Sequence, residues 1–254
     1  MKNHANIIPL AYVTILTGLA LVLHIFVTGC RELQTASSPP VPEIVKLPPA
    51  LAWAKHPQGG EWTRILLEEL ATTGKDLLTA SPADAAAWCP GYAKQGPEER
   101  LEFWAHLVSK MAEFESGFKP ETSYTECSKS KATYGSSGVW IPARAAWCIP
   151  GHKLDGGVAI SRGLIQMSLE SAQGYKCPLT SPQELHDPAK NLSCAVRILN
   201  RFVPAPREHD GAIRGHGRIA GKVSGSWKGA AAYWAVMRDS TGYAKQSHDK
   251  IRAY

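Results

Sequence analysis

Glu115 is the side chain in this sequence best placed to move a proton. It lies near the end of the string Met111-Ala112-Glu113-Phe114-Glu115-Ser116-Gly117-Phe118-Lys119-Pro120, four residues beyond Met111 on a stripe that already holds Leu101, Trp104 and Val108. The i, i+3, i+4 spacing marks the buried face of a helix. At roughly 100° per residue, Glu113 points to the opposite, wet face. A carboxyl where a core stripe meets a helix terminus loses hydration, which should raise its pKa and make it a proton donor near neutral pH. The competing reading is a helix-end glutamate whose head simply reaches water. Three further strings follow in order: Ser161-Arg162-Gly163-Leu164-Ile165-Gln166, a run led by Asn191 that ends in Ile198-Leu199, and Ala231-Ala232-Tyr233-Trp234.

The elements that must position these residues are mostly helical. Pro97 suits a first helical position, Glu98 and Glu99 suit the positive end of the dipole, and Gly117 and Pro120 stop the run, so a helix is predicted over 97–115. Leu66, Leu67, Leu70 and Leu77 give 62–78 helical spacing, and 83–88 reads as a short helix. Leu164, Ile165, Met167, Leu169 and Ala172 put a helical signal on 163–174, which makes Gln166 a residue of a helix start. Asp187-Pro188 supplies a cap and first position for a helix carrying Leu192, Ala195, Val196, Leu199 and Val203. Residues 227–237 are a short apolar-aromatic helical signal. The stretches 119–160 and 207–225 read as loops, with His209 and His216 solvated. No strand alternation or internal repeat stands out, so the chain reads as a mainly α domain with long irregular loops.

The four strings, in that order, resemble the catalytic domain of the soluble lytic transglycosylases of the lysozyme superfamily. That family carries Glu-Ser after a core helix, a Gly-Leu-Met-Gln-like motif, an Asn-led helix and Ala-Tyr-Asn. The resemblance covers about residues 97–240. Two departures stand out: a longer loop between Glu115 and Gln166, and Trp234 where the family has Asn. The resemblance implies a lysozyme-like fold of the goose-type/lytic transglycosylase kind. It also implies cleavage of the β-1,4 bond between N-acetylmuramic acid and N-acetylglucosamine in peptidoglycan. Glu115 would protonate the glycosidic oxygen. The substrate's acetamido group would assist, and Glu115 would then act as base on the 6-hydroxyl to give a 1,6-anhydro product. By the same resemblance Gln166 hydrogen-bonds an acetamido group or sugar hydroxyl, Tyr233 bonds Glu115 or the substrate, and Ser116 and Ser161 orient the acetamido group.

The bland alternatives are a surface amide, a core aromatic and two backbone caps. Most glycosidases use a second carboxylate. Glu121, Glu126, Asp155 and Glu170 are available, none in as specific a pattern as Glu115. The rival readings are a hydrolytic muramidase on the same fold and a non-catalytic peptidoglycan-binding envelope lipoprotein. Asn191-Leu192-Ser193 matches a glycosylation sequon, read here as coincidence.

The chain has 254 residues, 44% hydrophobic and 20% charged, enough for one domain with appendages. Residues 1–29 read as a signal peptide or an uncleaved membrane anchor, with an apolar run over 7–27 and a Val27-Thr28-Gly29-Cys30 ending that resembles a lipobox, which would lipidate Cys30. Residues 30–60, with Pro39, Pro40, Pro42, Pro48, Pro49 and Pro57, read as an extended tether, and 61–254 as the domain. Export to the periplasmic side of the envelope follows. Arg31 after the cysteine favours the outer membrane over retention at the inner one. The formal charge of +6 suits an anionic polymer or envelope surface as partner, and the scattered cations show no nucleic-acid-binding signature. Five other cysteines are expected to form disulfides in an oxidising compartment, leaving one over. Cys177 with Cys194 and Cys127 with Cys148 are plausible unions, with Cys89 the odd thiol, although spacing cannot settle pairing. No Cys-x-x-Cys or compact Cys/His cluster suggests zinc, and neither metal nor cofactor is expected.

Overall fold

The helix predicted to end beside Glu115 forms as α4, Pro97–Ser116, with Pro97 opening it and Gly117 closing it at φ +61°. A glycine tolerates that left-handed value at little cost. Trp104, Val108 and Met111 are fully buried, Leu101 is half-buried, and Phe103 and Leu107 widen the stripe. The computed structural model describes residues 50–125, 159–205, 217–240 and 242–252. A unit of residues 1–45 separates from 46–254 and lies outside the described residues, so the Cys30 site and the apolar run over 7–27 fall there too. Among the described residues no helix is long and apolar enough to cross a membrane.

Around α4 the order is α1 (Gly59–Thr72), α2 (Lys75–Thr79), α3 (Ala85–Trp88), then α4, β1 (Ser123–Thr125), β2 (Ile160–Arg162), α5 (Leu169–Gly174) and α6 (Pro188–Phe202), followed by β3 (Ala220–Val223), β4 (Ser226–Gly229), α7 (Ala230–Tyr233) and α8 (Tyr243–Arg252). The domain is mainly helical. α1 packs on both α4 and α6, and their shared core holds Trp62, Leu66 and Leu70 with Leu192, Val196 and Leu199. Each such side chain contributes about 1.5–3 kcal/mol by leaving water. Trp104 is held in place as well as buried, since its indole N–H points at the Leu77 carbonyl and the Tyr92 hydroxyl, each 3.2 Å away. α6 starts as its cap residues dictate: the Asp187 carboxylate accepts from the Ala189 and Lys190 amides. Cys177 and Cys194 are disulfide-bonded, tying the segment after α5 to α6. Cys89 is a free thiol; Cys127 and Cys148 lie outside the described residues.

The structure departs from the sequence reading in four places. Residues 51–58, expected as the end of the tether, are packed into the domain. Leu51 and Trp53 are buried, and the Trp53 indole donates to Thr63 at 3.0 Å. Second, 163–174 is not one helix. Gly163 at φ +82° and Gln166 at φ +40° break the right-handed run, so residues 163–166 form a loop. α5 begins only after Ser168, whose hydroxyl caps the Ser171 amide. Third, 220–229 is an antiparallel hairpin with Val223 opposite Ser226. Its two-residue turn, Ser224-Gly225, has positive φ at both positions, the twist that two-residue hairpins favour. Fourth, β1 and β2 pair antiparallel, Tyr124 opposite Ser161. Such three- and four-residue strands are too short to show alternation.

Candidate active site

α4 delivers Glu115 to the edge of a cavity of about 610 Å³. The glutamate is half-buried. Beyond it Gly117 and Phe118 both adopt left-handed φ, +61° and +62°, which reverses the chain immediately after the helix. For Phe118 this backbone costs on the order of 1–3 kcal/mol; its ring is seated edge-on against buried Trp53, 6.5 Å between centroids. The reversal feeds residues 119–122 into β1, and the Thr122 carbonyl receives the Gly163 amide at 3.0 Å. Thr122, Ser123 and Tyr124 thereby form one wall and Ser161 of β2 another.

The loop after β2 places Gln166. Arg162 and Met167 exchange two backbone hydrogen bonds, each 3.0 Å, and close residues 163–166 between them. No side chain fits at Gly163: an added Cβ would lie 2.0 Å from the Leu185 carbonyl oxygen and 2.2 Å from Asn191 Nδ2. Asn191, fully buried, donates from Nδ2 to the Arg162 and Leu185 carbonyls and accepts the Ile165 amide at Oδ1. A side chain so enclosed cannot be a glycosylation acceptor.

Gln166 is 94% buried, with 6% exposure, yet lines the cavity. Its Nε2 donates to the Gly163 carbonyl at 2.8 Å and the Thr122 carbonyl at 3.1 Å. Two carbonyl acceptors settle which end of the amide is nitrogen. Oε1 has no partner among the described residues. A buried acceptor left open at a cavity wall is set to receive a ligand O–H or N–H.

α7 and the residues after it close the other side. Tyr233 is half-buried at the wall, its ring 4.6 Å from that of Trp234 and 5.9 Å from Tyr175. Burial pushes the Tyr175 phenol above its usual range. Trp234 is 2% exposed, and its indole N–H donates to the Ile165 carbonyl at 2.8 Å.

Glu115, Ser161, Gln166 and Tyr233 therefore meet at one cavity. Ser116 does not: it is buried within α4, its hydroxyl turned back to the Ala112 carbonyl at 3.2 Å, an ordinary way for a helical serine to satisfy itself. Gln166 belongs to a loop rather than to a helix start, for the backbone reason given above. Of the other carboxylates considered, Glu121 and Glu170 are exposed and off the wall, while Glu126 and Asp155 lie outside the described residues. Glu115 is the acidic side chain among the described lining residues. Sequence reasoning missed Arg238 and Tyr243. Arg238 lines the cavity while its Nε donates to the Ala231 carbonyl at 2.9 Å. Tyr243 on α8, 61% exposed, donates its hydroxyl to the Phe114 carbonyl at 2.8 Å and so braces the turn of α4 that carries Glu115. Neither residue sits in a periodic pattern that could have flagged it. No group of three or more metal-ligating side chains occurs among the described residues.

No protein-family model and no curated protein matches the chain. Solved structures do. Form 2 of wild-type Bd0314 DslA is 35% identical, the match covering 80% of this chain and 94% of that one, with a TM-score of 0.59. Two mutants of the same protein, each with a different glutamate replaced by glutamine, match at 35% identity with TM-scores of 0.60 and 0.59. They cover 80% of this chain and 93% and 94% of theirs.

Proposed function

The chain belongs to the family of Bd0314 DslA, and from that premise we propose that it cleaves the glycan strands of peptidoglycan, at the β-1,4 bond between N-acetylmuramic acid and N-acetylglucosamine, as a lysozyme-like lytic transglycosylase. The observation that carries the proposal is the convergence of Glu115, Ser161, Gln166 and Tyr233 on one cavity. They come from a helix end, a strand, a loop and a second helix. That convergence is what the resemblance to lytic transglycosylases requires of those four positions.

In this reading Glu115 gives its proton to the glycosidic oxygen as the bond from C1 breaks, so the leaving sugar departs as a neutral alcohol. The substrate's acetamido group supports the positive charge left at C1. The Glu115 carboxylate then takes the proton of the 6-hydroxyl while that oxygen bonds to C1. The product is a 1,6-anhydro sugar, and the acid is regenerated without water. Gln166 Oε1 accepts a hydrogen bond from the sugar, Tyr233 steadies Glu115, and Ser161 holds the acetamido group. The Cys177–Cys194 disulfide supports export to an oxidising compartment, in keeping with a Cys30-lipidated, envelope-attached enzyme on the periplasmic side.

One observation favours a second reading, hydrolysis on the same site. The two glutamates replaced in the Bd0314 DslA mutants are eleven positions apart, the separation of Glu115 and Glu126 in this chain. Most glycoside hydrolases use such a pair, one acid and one carboxylate acting as base or nucleophile. Digestion of purified sacculi by the wild type, Glu115→Gln and Glu126→Gln, with mass analysis of the products, separates the readings. Anhydro-muropeptides lost in Glu115→Gln and kept in Glu126→Gln support the transglycosylase. Reducing-end products lost in both variants make the enzyme a muramidase. Release of no product by the wild type overturns glycan cleavage altogether.

A further inference from the structure

Gln166 holds its open acceptor at the cavity wall against two odds: a left-handed backbone at a residue with a β-carbon, and a loop of only four residues. Such a conformation persists only when its surroundings over-determine it. The surroundings are two side chains from distant elements. Asn191 Oδ1 of α6 accepts from the Ile165 amide at 2.9 Å, and the Trp234 indole N–H donates to the Ile165 carbonyl at 2.8 Å. That carbonyl belongs to the peptide group that joins Ile165 to Gln166, so holding it restricts the rotation that sets Gln166 φ. Released, the loop would relax toward a commoner backbone and turn the Gln166 amide away from the Gly163 and Thr122 carbonyls.

We infer that Trp234 is a positioning residue: through the Ile165 carbonyl it locks Gln166 in the conformation that presents Oε1 to a ligand hydrogen-bond donor. Trp234 is also where the chain departs from the Ala-Tyr-Asn pattern it resembles. An indole reaching the Ile165 carbonyl from the end of α7 does work in this chain that Tyr233, on the cavity wall itself, does not. Because both Nε2 hydrogens of Gln166 are spent on carbonyls, the locked side chain is acceptor-only. The group it meets is a hydroxyl or an amide N–H, never a carbonyl or carboxylate.

The test has two arms. Only the first rests on the glycan-cleaving reading. Trp234→Phe keeps an aromatic ring and deletes the N–H. Its kcat/KM on glycan should fall about fivefold, the size of one lost hydrogen bond. In a Gln166→Ala background the same change should cost less than twofold, because the side chain through which it acts is gone. Equal losses in the two backgrounds, or no loss in either, overturn the inference. The second arm needs no substrate. The side-chain amide protons of Gln166, read by NMR hydrogen exchange, should be protected in the wild type and exchange about tenfold faster in Trp234→Phe. Equal protection in the two proteins overturns the inference. So does free exchange in the wild type, which can be read even if Trp234→Phe fails to fold. Loosened protection in a protein that cleaves no glycan would leave the positioning role standing while the proposed function fell.

Discussion

Replacing Asn191 by alanine should be among the most damaging single changes that can be made to this domain without touching the cavity wall. The side chain is fully buried and makes three hydrogen bonds of 2.9–3.1 Å, to the Ile165 amide and to the Arg162 and Leu185 carbonyls. Truncation strands one buried donor, the Ile165 amide, and one acceptor, the Leu185 carbonyl, while the Arg162 carbonyl keeps the Met167 amide. Each stranded group costs about 1–3 kcal/mol. A water entering the vacated space would re-pair part of the set, so the expected cost is about 2–4 kcal/mol rather than the full sum. Against a total stability of about 5–15 kcal/mol that is a large fraction. In a domain of this size it corresponds to a Tm lower by about 5–15 °C. Reversible urea unfolding with the disulfide intact, checked by calorimetry, measures it. Asn191→Asp sharpens the test: it keeps the acceptor for Ile165 but turns a carboxylate oxygen toward two carbonyls, and should cost at least as much as alanine. An Asn191→Ala loss under about 1 kcal/mol would show that the loop finds its hydrogen bonds elsewhere, and the account of how Gln166 is held would fail with it.

Removing the disulfide by Cys177→Ser with Cys194→Ser opens a loop with a sequence separation of 17, worth about 3 kcal/mol in the chain-entropy account; thermal unfolding should show it as a Tm lower by about 6–12 °C, and an unchanged Tm would contradict it. Lys190 and the backbone amides of Thr180 and Ser181 hold the Glu184 carboxyl down to about 2. Since its folded value lies below the unfolded one of 4.5, Glu184 adds stability above that pH and loses it as pH falls toward 2. The stability gap between wild type and Glu184→Gln should therefore be present at pH 6 and gone near pH 2 in pH-resolved urea melts; a gap that persists there would refute the assignment. Tyr243→Phe, which deletes the hydroxyl bracing the Phe114 carbonyl, should leave Tm within about 2 °C because the site is exposed, and an appreciable loss of stability would mean that α8 is tied to α4 more tightly than the structure indicates.

Much of the helical scaffold was legible in the sequence, and for local reasons. α4 carries its stop signals and its stripe within twenty residues, and α6 carries Asp187 and Pro188 at its head. Helical hydrogen bonds join residues four apart, so caps and periodicity suffice to announce them. The hairpin at 220–229 and the β1–β2 pair escaped because three or four residues cannot display a period of two. Ser116 neighbours Glu115 in the chain but sits about 100° further round the helix, its hydroxyl turned to the Ala112 carbonyl, which the order of residues does not reveal.

Glu115, Gln166 and Tyr233 could each be singled out from residue types and order along the chain, because a carboxyl at the end of a core stripe and an ordered set of motifs are properties of the string itself. Their meeting is a property of the fold. The bonds that bring it about link residues 26, 44 and 69 positions apart: Ile165 to Asn191, Gln166 to Thr122, and Trp234 to Ile165. Contacts at such separations follow no period, and each depends on where whole helices come to rest. The positive φ of Gln166 is set in the same way, by side chains of α6 and from the end of α7, not by the residues beside it. Sequence determined which groups could do the chemistry; packing decided that they face one cavity, and that the Gln166 acceptor stays open.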